Sequence, residues 1–164
     1  MIFVTVGTDL PFDRMVKVID EWARQNARQD VFAQIGAGGW EPEYIGFSNF
    51  LKPPEFTRFF KSADIIISHA GMGTILSALH FGKPILVMPK RASLGEHRSE
   101  HQVATARRMM ELGNVNVAFD EVELRTRLDH LDTLSAGKQI EIHAGDSLIS
   151  GLRSFIHQST GNHR

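Results

Sequence analysis

The segment DIIISHAGMGTILSALHFGKPILVMP, residues 64–89, decides the fold. Two short apolar runs, 64–68 and 84–88, flank an amphipathic stretch at 74–81 that ends at Gly82. Buried strands of a parallel sheet appear as continuous apolar runs, and glycine commonly ends the helix that connects two of them. The segment therefore predicts a strand, a helix and a second strand parallel to the first.

The same alternation extends in both directions along the chain. Further strands are predicted at 2–6, 31–35, 44–47 and 115–119, and further helices at 11–28, 53–61, 96–112, 120–131 and 144–157, with a loop at 135–138. Six strands with intervening helices predict an α/β fold, a Rossmann-like parallel sheet with helices on both faces. We expect one domain over residues 1–158 and a disordered tail at 159–164.

Composition limits the possible functions. With 18 Lys and Arg against 19 Asp and Glu, the net charge of -1 provides no long-range field for nucleic acid or an anionic membrane, so we expect no nucleic-acid partner. The absence of cysteine excludes disulfides and a thiol nucleophile, and it fits a reducing cytoplasm. The first residues lack the pattern of a signal peptide, and no apolar run approaches the ~20 residues that span a bilayer.

The carboxyl ends of the predicted strands are where ligands bind in open parallel sheets. After the first strand, Gly7 and Thr8 allow the backbone to approach a phosphate closely. The alternative is a tight turn in which Thr8 or Asp9 caps the next helix. The loop does not match the GxGxxG pattern of dinucleotide-binding proteins.

The fourth strand runs directly into His69 and two glycines, Gly71 and Gly73. Glycines at this spacing remove the side chains that would hold a ligand away from the backbone. Thr74 is suited to cap the helix that follows and to donate to an anion. The alternative is a turn that the glycines relieve, with a hydrogen-bonded histidine.

The segment after the fifth strand, residues 89–102, is rich in polar side chains. Lys90 and Arg91 are candidates to meet a carboxylate or a diphosphate, and a solvated loop is the alternative. His97 and His101 are four residues apart, like a helical zinc pair, but HxxxH without a third ligand is a weak signal. We predict no metal site and treat both histidines as hydrogen-bonding groups that titrate near neutrality.

Four segments, VTVGTDLPFDRMV, ADIIISHAGMGTILSAL, FGKPILVMP and GEHRSEHQVATA, together resemble the single-domain members of glycosyltransferase family 28. The family includes the small catalytic subunit of the eukaryotic dolichol-linked N-acetylglucosaminyltransferase and bacterial exopolysaccharide subunits of the PssE type. The resemblance covers about residues 1–120, and the bacterial branch is the more similar through GEHRSEHQ.

The resemblance implies the C-terminal, donor-binding half of a GT-B fold that is divided between two chains. The implied partner is a membrane-associated, acceptor-binding glycosyltransferase subunit, so the protein would be cytoplasmic and peripheral at the inner face of the cell membrane. The implied reaction is an inverting transfer from a UDP-sugar to a polyprenyl-diphosphate-linked saccharide, with no metal or other cofactor.

The resemblance also implies roles for individual residues. The residues implied near the donor diphosphate are Gly7, Thr8, Gly71, Gly73 and Thr74. Those implied to face the nucleotide are His69, Ala70 and Met72, and those near the donor sugar are Gln102 and His101. Ser77 stands where many relatives have a ribose-binding glutamate, so this contact is lost or shared with Glu96. Uracil recognition is implied for backbone groups of the loop at 49–51.

Several alternatives remain open from the sequence. The catalytic base is expected on the partner, with His69 and His97 as other candidates by residue type. UDP-glucuronate is the favoured donor because the bacterial branch that the chain resembles includes glucuronosyltransferases, and because Lys90, Arg91 and Arg98 can pair with its carboxylate. UDP-glucose, UDP-galactose and UDP-N-acetylglucosamine are the alternatives. A non-catalytic nucleotide-binding module and an oxidoreductase are the rival functions.

Two surfaces also have alternative readings. Three aromatic side chains of the predicted helix at 53–61 either belong to the core or contribute to a partner interface. These are Phe56, Phe59 and Phe60. The predicted helix at 144–157 either packs on its own sheet or crosses to the partner.

Overall fold

The computed structural model describes residues 1–139, which form a six-stranded parallel sheet with helices on both faces. The strand order is β3-β2-β1-β4-β5-β6, and the strands are β1 Ile2–Thr5, β2 Val31–Gln34, β3 Gly46–Ser48, β4 Ile65–His69, β5 Ile85–Met88 and β6 Asn116–Val117. The helices are α1 Asp13–Gln25, α2 Pro53–Ser62, α3 Met72–His80, α4 His101–Glu111 and α5 Glu121–Leu128, with 3-10 turns at Ala92–Leu94 and Leu131–Thr133. This architecture confirms the predicted fold class.

The strand register brings the functional loops together. Thr5, the last residue of β1, is aligned with Gln34 of β2 and with Ser68 of β4. On the other side of β4, Ser68 is aligned with Val87 of β5. Because the strands are parallel, the loops that leave these aligned ends emerge at one edge of the sheet.

Each face of the sheet carries its own apolar cluster. One cluster contains buried side chains of α1 and α5, and the other contains those of α2, α3 and α4. In the second cluster Phe60 is buried, Phe59 stacks on Phe32 with ring centroids 4.3 Å apart, and Phe56 meets Phe3 edge to face. Phe60 therefore belongs to the core, and Phe56 and Phe59 are partly buried at its edge.

The largest error in the predicted elements concerns the helix at 96–112. Helix α4 begins only at His101, because the carboxylate of Glu96 is buried and accepts hydrogen bonds from Arg14 and from the Arg91 backbone N–H. These contacts fix the chain before α4 in a non-helical path. A side chain paired across the fold thus overrides a local pattern.

Two predicted caps are also wrong. Helix α1 begins at Asp13 after Phe12, so neither Thr8 nor Asp9 caps it. Helix α3 begins at Met72 after Gly71, which places Thr74 inside the first turn rather than at the cap.

The remaining bounds differ less. The predicted strand at 115–119 shrinks to Asn116–Val117, and the predicted loop at 135–138 has no regular structure. The predicted helix at 144–157 and tail at 159–164 lie outside the described residues. Within residues 1–139, no helix combines the length and apolarity needed to cross a bilayer.

Candidate functional site

A cleft of about 430 Å³ lies at the carboxyl edge of the sheet, and we call it the central cleft. It is bounded by the loops that follow β1, β3 and β4 and by the first turns of α2 and α3. The residues that line it are Thr5, Gly7, Thr8, Gln34, Phe50, Leu51, Phe56, His69, Gly71, Gly73, Thr74 and Ser77. Seven of the predicted donor-binding residues are therefore brought together here: Gly7, Thr8, His69, Gly71, Gly73, Thr74 and Ser77.

Two of these glycines make room for the imidazole of His69. A Cβ atom on Gly71 would overlap the His69 Nε2 atom, and one on Gly7 would lie 2.7 Å from its Cε1 atom. Gly7 also has a φ of +83°, which side-chain-bearing residues rarely adopt. Both glycines are thus required by the histidine even before any ligand enters.

The histidine between these glycines is neutral. Burial, with the nearby Lys90 ammonium as a second cause, lowers the pKa of His69 to about 4. Its Nδ1 atom is buried and has no hydrogen-bond partner within residues 1–139. The alternative of a turn with a hydrogen-bonded histidine is therefore not met at Nδ1, and burial keeps the imidazole neutral at pH 7.

Gly73 serves a different purpose from Gly71. A Cβ atom on Gly73 would have no heavy atom within 4 Å, because the position opens into the central cleft. The first helical hydrogen bond of α3 runs from the Ile75 N–H to the Gly71 carbonyl, so the N–H groups of Met72, Gly73 and Thr74 precede it. The amino end of α3 therefore presents backbone donors and the positive end of the helix dipole to the cleft, an arrangement that favours anions.

Ser77 lies one turn farther along α3. Its hydroxyl donates to the Gly73 carbonyl at 2.8 Å. The serine oxygen can still accept a hydrogen bond at the cleft wall, but it carries no charge.

Sequence reasoning missed Gln34 and Thr5, which join the walls of the central cleft. The Thr5 hydroxyl donates to Gln34 Oε1 at 2.6 Å, and Gln34 Nε2 donates to the carbonyls of Gly7 and Asn49, both at 3.1 Å. The buried amide thus ties the loop after β1 to the loop after β3. The available signal was a glutamine that ends the apolar strand VFAQ.

An apolar wall faces the glycine turn. It is formed by Leu51, the ring of Phe56 and the ring of Phe50, whose residue is 56% exposed. The loop at 49–51, predicted to contact uracil, therefore does border the cleft. Its Asn49 carbonyl is already paired with Gln34 and with the Gly36 N–H.

Several polar side chains of the segment after β5, residues 89–102, are directed into the fold. Glu96 accepts two hydrogen bonds from Arg14, at 2.7 and 2.9 Å, and a third from the Arg91 N–H at 2.9 Å. Arg14 also reaches Glu121 at 3.1 Å. Glu96 is thus held in a buried ion pair and does not line the central cleft.

Three other residues of this segment that sequence reasoning singled out, Lys90, Arg91 and Gln102, also make hydrogen bonds within the fold. Lys90 is 1% exposed and donates to the Leu10 carbonyl, and Gln102 accepts from the Lys90 N–H at 3.0 Å. Arg91 donates to the Phe119 carbonyl at 3.0 Å. None of these three side chains lines the central cleft, although sequence reasoning placed Arg91 and Gln102 at the donor.

His97 and His101 also lie outside the lining of the cleft. Their rings meet edge to face with centroids 4.6 Å apart, and burial followed by the charge of His97 lowers the pKa of His101. In the described part of the chain, no group of three or more His, Asp or Glu side chains is arranged to hold a metal ion. Ala70 is buried beneath the turn, and Met72 packs against the second apolar cluster.

Comparison with known proteins reveals a family match. The model of the glycosyltransferase family 28 C-terminal domain matches residues 1–144. UDP-N-acetylglucosamine transferase subunit ALG13 of Homo sapiens is 28% identical over 109 residues, which are 60% of this chain and 10% of that protein. The curated relatives that the chain matches are covered over only 10 to 27% of their own length.

Solved structures share the fold. The solution structure of ALG13 superposes with a TM-score of 0.60 at 20% identity, over 96% of this chain and 93% of that one. The UDP-GlcNAc 2-epimerase from Neisseria meningitidis, solved with UDP-GlcNAc, gives a TM-score of 0.62 at 12% identity, over 94% of this chain and 44% of that one. At these identities the similarity concerns the fold.

Proposed function

This chain belongs to the family of glycosyltransferase family 28 C-terminal domains, and we propose that it is the donor-binding catalytic subunit of a two-chain inverting glycosyltransferase. The proposed donor is a UDP-sugar, and the proposed acceptor is a polyprenyl-diphosphate-linked saccharide in exopolysaccharide biosynthesis. The human relative is itself named as a subunit of a UDP-N-acetylglucosamine transferase, which supports both the donor class and the divided architecture.

The observation that carries the proposal is the open amino end of α3 in the central cleft. The N–H groups of the first helical turn are free of helical bonds, and the missing side chain of Gly73 leaves them accessible. When UDP departs, negative charge develops on its diphosphate. Fixed amide dipoles that already point at this position stabilise the charge without rearrangement.

The rest of the nucleotide has a matching surface in the cleft. The diphosphate lies near Gly73 and Thr74, and the base lies against the apolar wall of Phe50, Leu51 and Phe56. Ser77 offers one neutral acceptor to the ribose, since Glu96 is already held by Arg14. This arrangement extends along the cleft from the α3 turn to the first turn of α2.

The donor sugar is the least constrained part of the proposal. Lys90 is buried and Arg91 is bound to a backbone carbonyl, so neither is directed at a donor carboxylate. Arg98 is the cation of this segment that remains exposed, with 83% of its side chain accessible. UDP-glucuronate stays our preferred donor on the strength of Arg98, and UDP-N-acetylglucosamine is the alternative supported by the name of the relative.

The acceptor and the catalytic base are assigned to a second, membrane-associated subunit. Through that subunit the protein would be placed at the cytoplasmic face of the cell membrane. His69 is neutral and therefore in the form that accepts a proton, but it is wedged between Gly7 and Gly71. Its position suits a hydrogen bond to the donor better than proton transfer from an acceptor.

Titration with nucleotides separates this proposal from its rivals. We expect UDP to bind and NAD not to bind, whereas NAD binding without UDP binding would indicate an oxidoreductase. The decisive assay combines the full chain with its membrane-associated partner and measures transfer from labelled UDP-sugars to a lipid-linked acceptor. UDP binding without transfer to any acceptor in the presence of the partner would favour a non-catalytic nucleotide-binding module.

A further inference from the structure

Lys90 is a buried lysine that contacts the loop between β1 and α1, and this loop also borders the central cleft. It follows β5, is 1% exposed, and its backbone N–H is held by the buried amide of Gln102. Its ammonium donates to the Leu10 carbonyl and lies 5.8 Å from the centre of the Phe12 ring. The charge is therefore enclosed beneath the loop that connects β1 to α1, the same loop that contributes Gly7 and Thr8 to the cleft.

This charge has no ion-pair partner among the described residues. The titratable groups that face it are Asp9 of the β1 loop, Glu96 after β5 and His69 of β4. Glu96 is paired with Arg14. Asp9 is half exposed, and its carboxylate lies 3.8 Å from the guanidinium of Arg98. Burial lowers the pKa of Lys90 to about 8, which leaves most of the ammonium protonated at pH 7. An unpaired buried cation is costly, so it calls for an explanation.

The central cleft lacks a charge of its own. Within the described chain, its lining residues carry no Asp, Glu, Lys or Arg, and the one histidine is neutral. Lys90 lies two residues after Met88, which is aligned with His69 on the neighbouring strand, and its charge contributes to the low pKa of that imidazole. Because the ammonium is buried, solvent screens its field less than it screens that of an exposed cation.

We propose that Lys90 is the resident cation of the donor site: its buried ammonium attracts the diphosphate of the donor without touching it and positions the β1 loop through the Leu10 carbonyl. The inference rests on the proposed function, because it concerns the same nucleotide. It assigns the anion affinity of the cleft to two sources, the amino end of α3 and the charge behind the β1 loop.

Comparing UDP with uridine isolates the electrostatic effect, since uridine lacks the diphosphate. Dissociation constants are measured for both ligands with the wild-type chain and with Lys90→Met, which keeps the length of the side chain and removes its charge. We expect UDP to bind about tenfold more weakly to the variant, because a unit charge acting at an effective dielectric constant of about 20 is worth that much even at ~10 Å. Uridine affinity is expected to stay within about twofold.

Lys83→Met is the matched control. The ammonium of Lys83 also donates to backbone carbonyls, those of Lys61 and Ala63, both at 2.7 Å. These contacts precede β4 and β5 and so lie at the opposite edge of the sheet from the central cleft. We expect this variant to bind both ligands as the wild type does.

Each other result overturns the inference. An equal loss of UDP and uridine affinity in Lys90→Met would assign Lys90 to packing alone, and unchanged UDP affinity would remove any role in binding. If the variant does not fold, NMR of labelled lysine in the wild-type chain decides: the pKa of Lys90 must rise with bound UDP and not with bound uridine. A wild-type chain that binds neither ligand would overturn the proposed function, and the inference with it.

Discussion

Two regions leave the same edge of the sheet but use their polar groups in opposite ways. We call residues 68–74, from the end of β4 to the start of α3, the β4 turn, and residues 89–102 the β5 segment. The β4 turn has few polar side chains, and its free groups are backbone amides that open into the central cleft. In the β5 segment, Lys90, Glu96 and Gln102 are buried and bonded inside the fold. The β5 segment, which has more functional groups, thus stabilises the fold. The β4 turn, which has fewer, lines the central cleft.

The difference has a simple physical origin. Side-chain charges and amides can find partners within the fold, and burying them without a partner is costly, so folding tends to pair them. The N–H groups at the first turn of a helix have no partner within the helix. An open turn therefore keeps an unsatisfied, positively polarised surface that only solvent or a ligand can occupy.

The largest effect on stability is expected from breaking the buried ion pair between Arg14 and Glu96 of the β5 segment. Arg14→Met leaves Glu96 buried without its cation, and loss of one member of a buried pair costs about 3–5 kcal/mol of unfolding free energy. Urea unfolding followed by circular dichroism measures the change. Arg24→Met, in the exposed pair with Glu21 on the same helix, is the control and should leave stability almost unchanged, because solvent screens this pair. Equal losses in the two variants would show that the β5 segment does not depend on this pair.

The next effect concerns the histidine of the β4 turn. Burial lowers the pKa of His69 from 6.5 to about 4, so the unfolded chain binds a proton at pH values where the folded chain does not. Stability from this group is complete above pH 6.5, and it is lost as the pH falls from 6.5 to 4, by up to about 3 kcal/mol. Urea midpoints measured across this range test the prediction.

Two histidine variants, one in the β4 turn and one in the β5 segment, test which region causes this pH dependence of stability. His69→Gln should remove most of the slope of stability between pH 6.5 and 4. His101→Gln, in the β5 segment, should keep most of it, because His101 is exposed to solvent in the folded chain. A slope that survives in His69→Gln would mean that the glycines do not enclose a neutral imidazole.

The third effect separates the two glycines of the β4 turn. Gly71→Ala places a methyl group on the His69 ring, and overpacking of this kind costs about 1–3 kcal/mol of stability. Gly73→Ala has free space and lies in α3, where alanine favours the helix more than glycine, so its melting temperature should not fall below that of the wild type. Its UDP affinity should fall about tenfold or more on the proposed function. Melting temperatures and UDP titrations of both variants provide the test. Wild-type UDP affinity in Gly73→Ala would remove the α3 turn from the proposed site.

The sequence predicts the fold well because burial on both faces of a parallel sheet leaves uninterrupted apolar runs, such as III at 65–67 and ILVM at 85–88. Element ends are predicted less well, since they depend on contacts between distant residues. The bond between Arg14 and Glu96 spans 82 positions and delays the start of α4, and no local pattern contains it.

The candidate site shows the same limit. Gly7, Gly71 and Gly73 are found from the sequence because glycine at a strand end has a geometric meaning. Gln34 is missed because one polar residue at the end of an apolar strand does not reveal which loops its amide will join. Arg91 and Gln102 are placed at the donor because residue type indicates what a side chain can bind, and not whether the fold has already bound it.

The smallest effect is expected where the β5 segment still presents a free charge. Arg98 is 83% exposed and lies 3.8 Å from Asp9, so Arg98→Gln should change stability by about 0.5 kcal/mol or less. If this guanidinium meets the carboxylate of a glucuronate donor, transfer from UDP-glucuronate should fall about two- to fivefold relative to UDP-glucose in the two-chain assay.

Arg108→Gln is the control for that assay, because Arg108 is similarly exposed on α4 and pairs with Glu111 within the same helix. It should leave the ratio of the two donors unchanged. If Arg98→Gln leaves the ratio of UDP-glucuronate to UDP-glucose transfer unchanged, the structural support for glucuronate is removed. The β5 segment would then serve only to stabilise the fold. A reduced ratio would mean that Arg98 contacts the substrate while its neighbours in the β5 segment stabilise the fold. The β5 segment and the β4 turn would then both contribute to binding, to different extents.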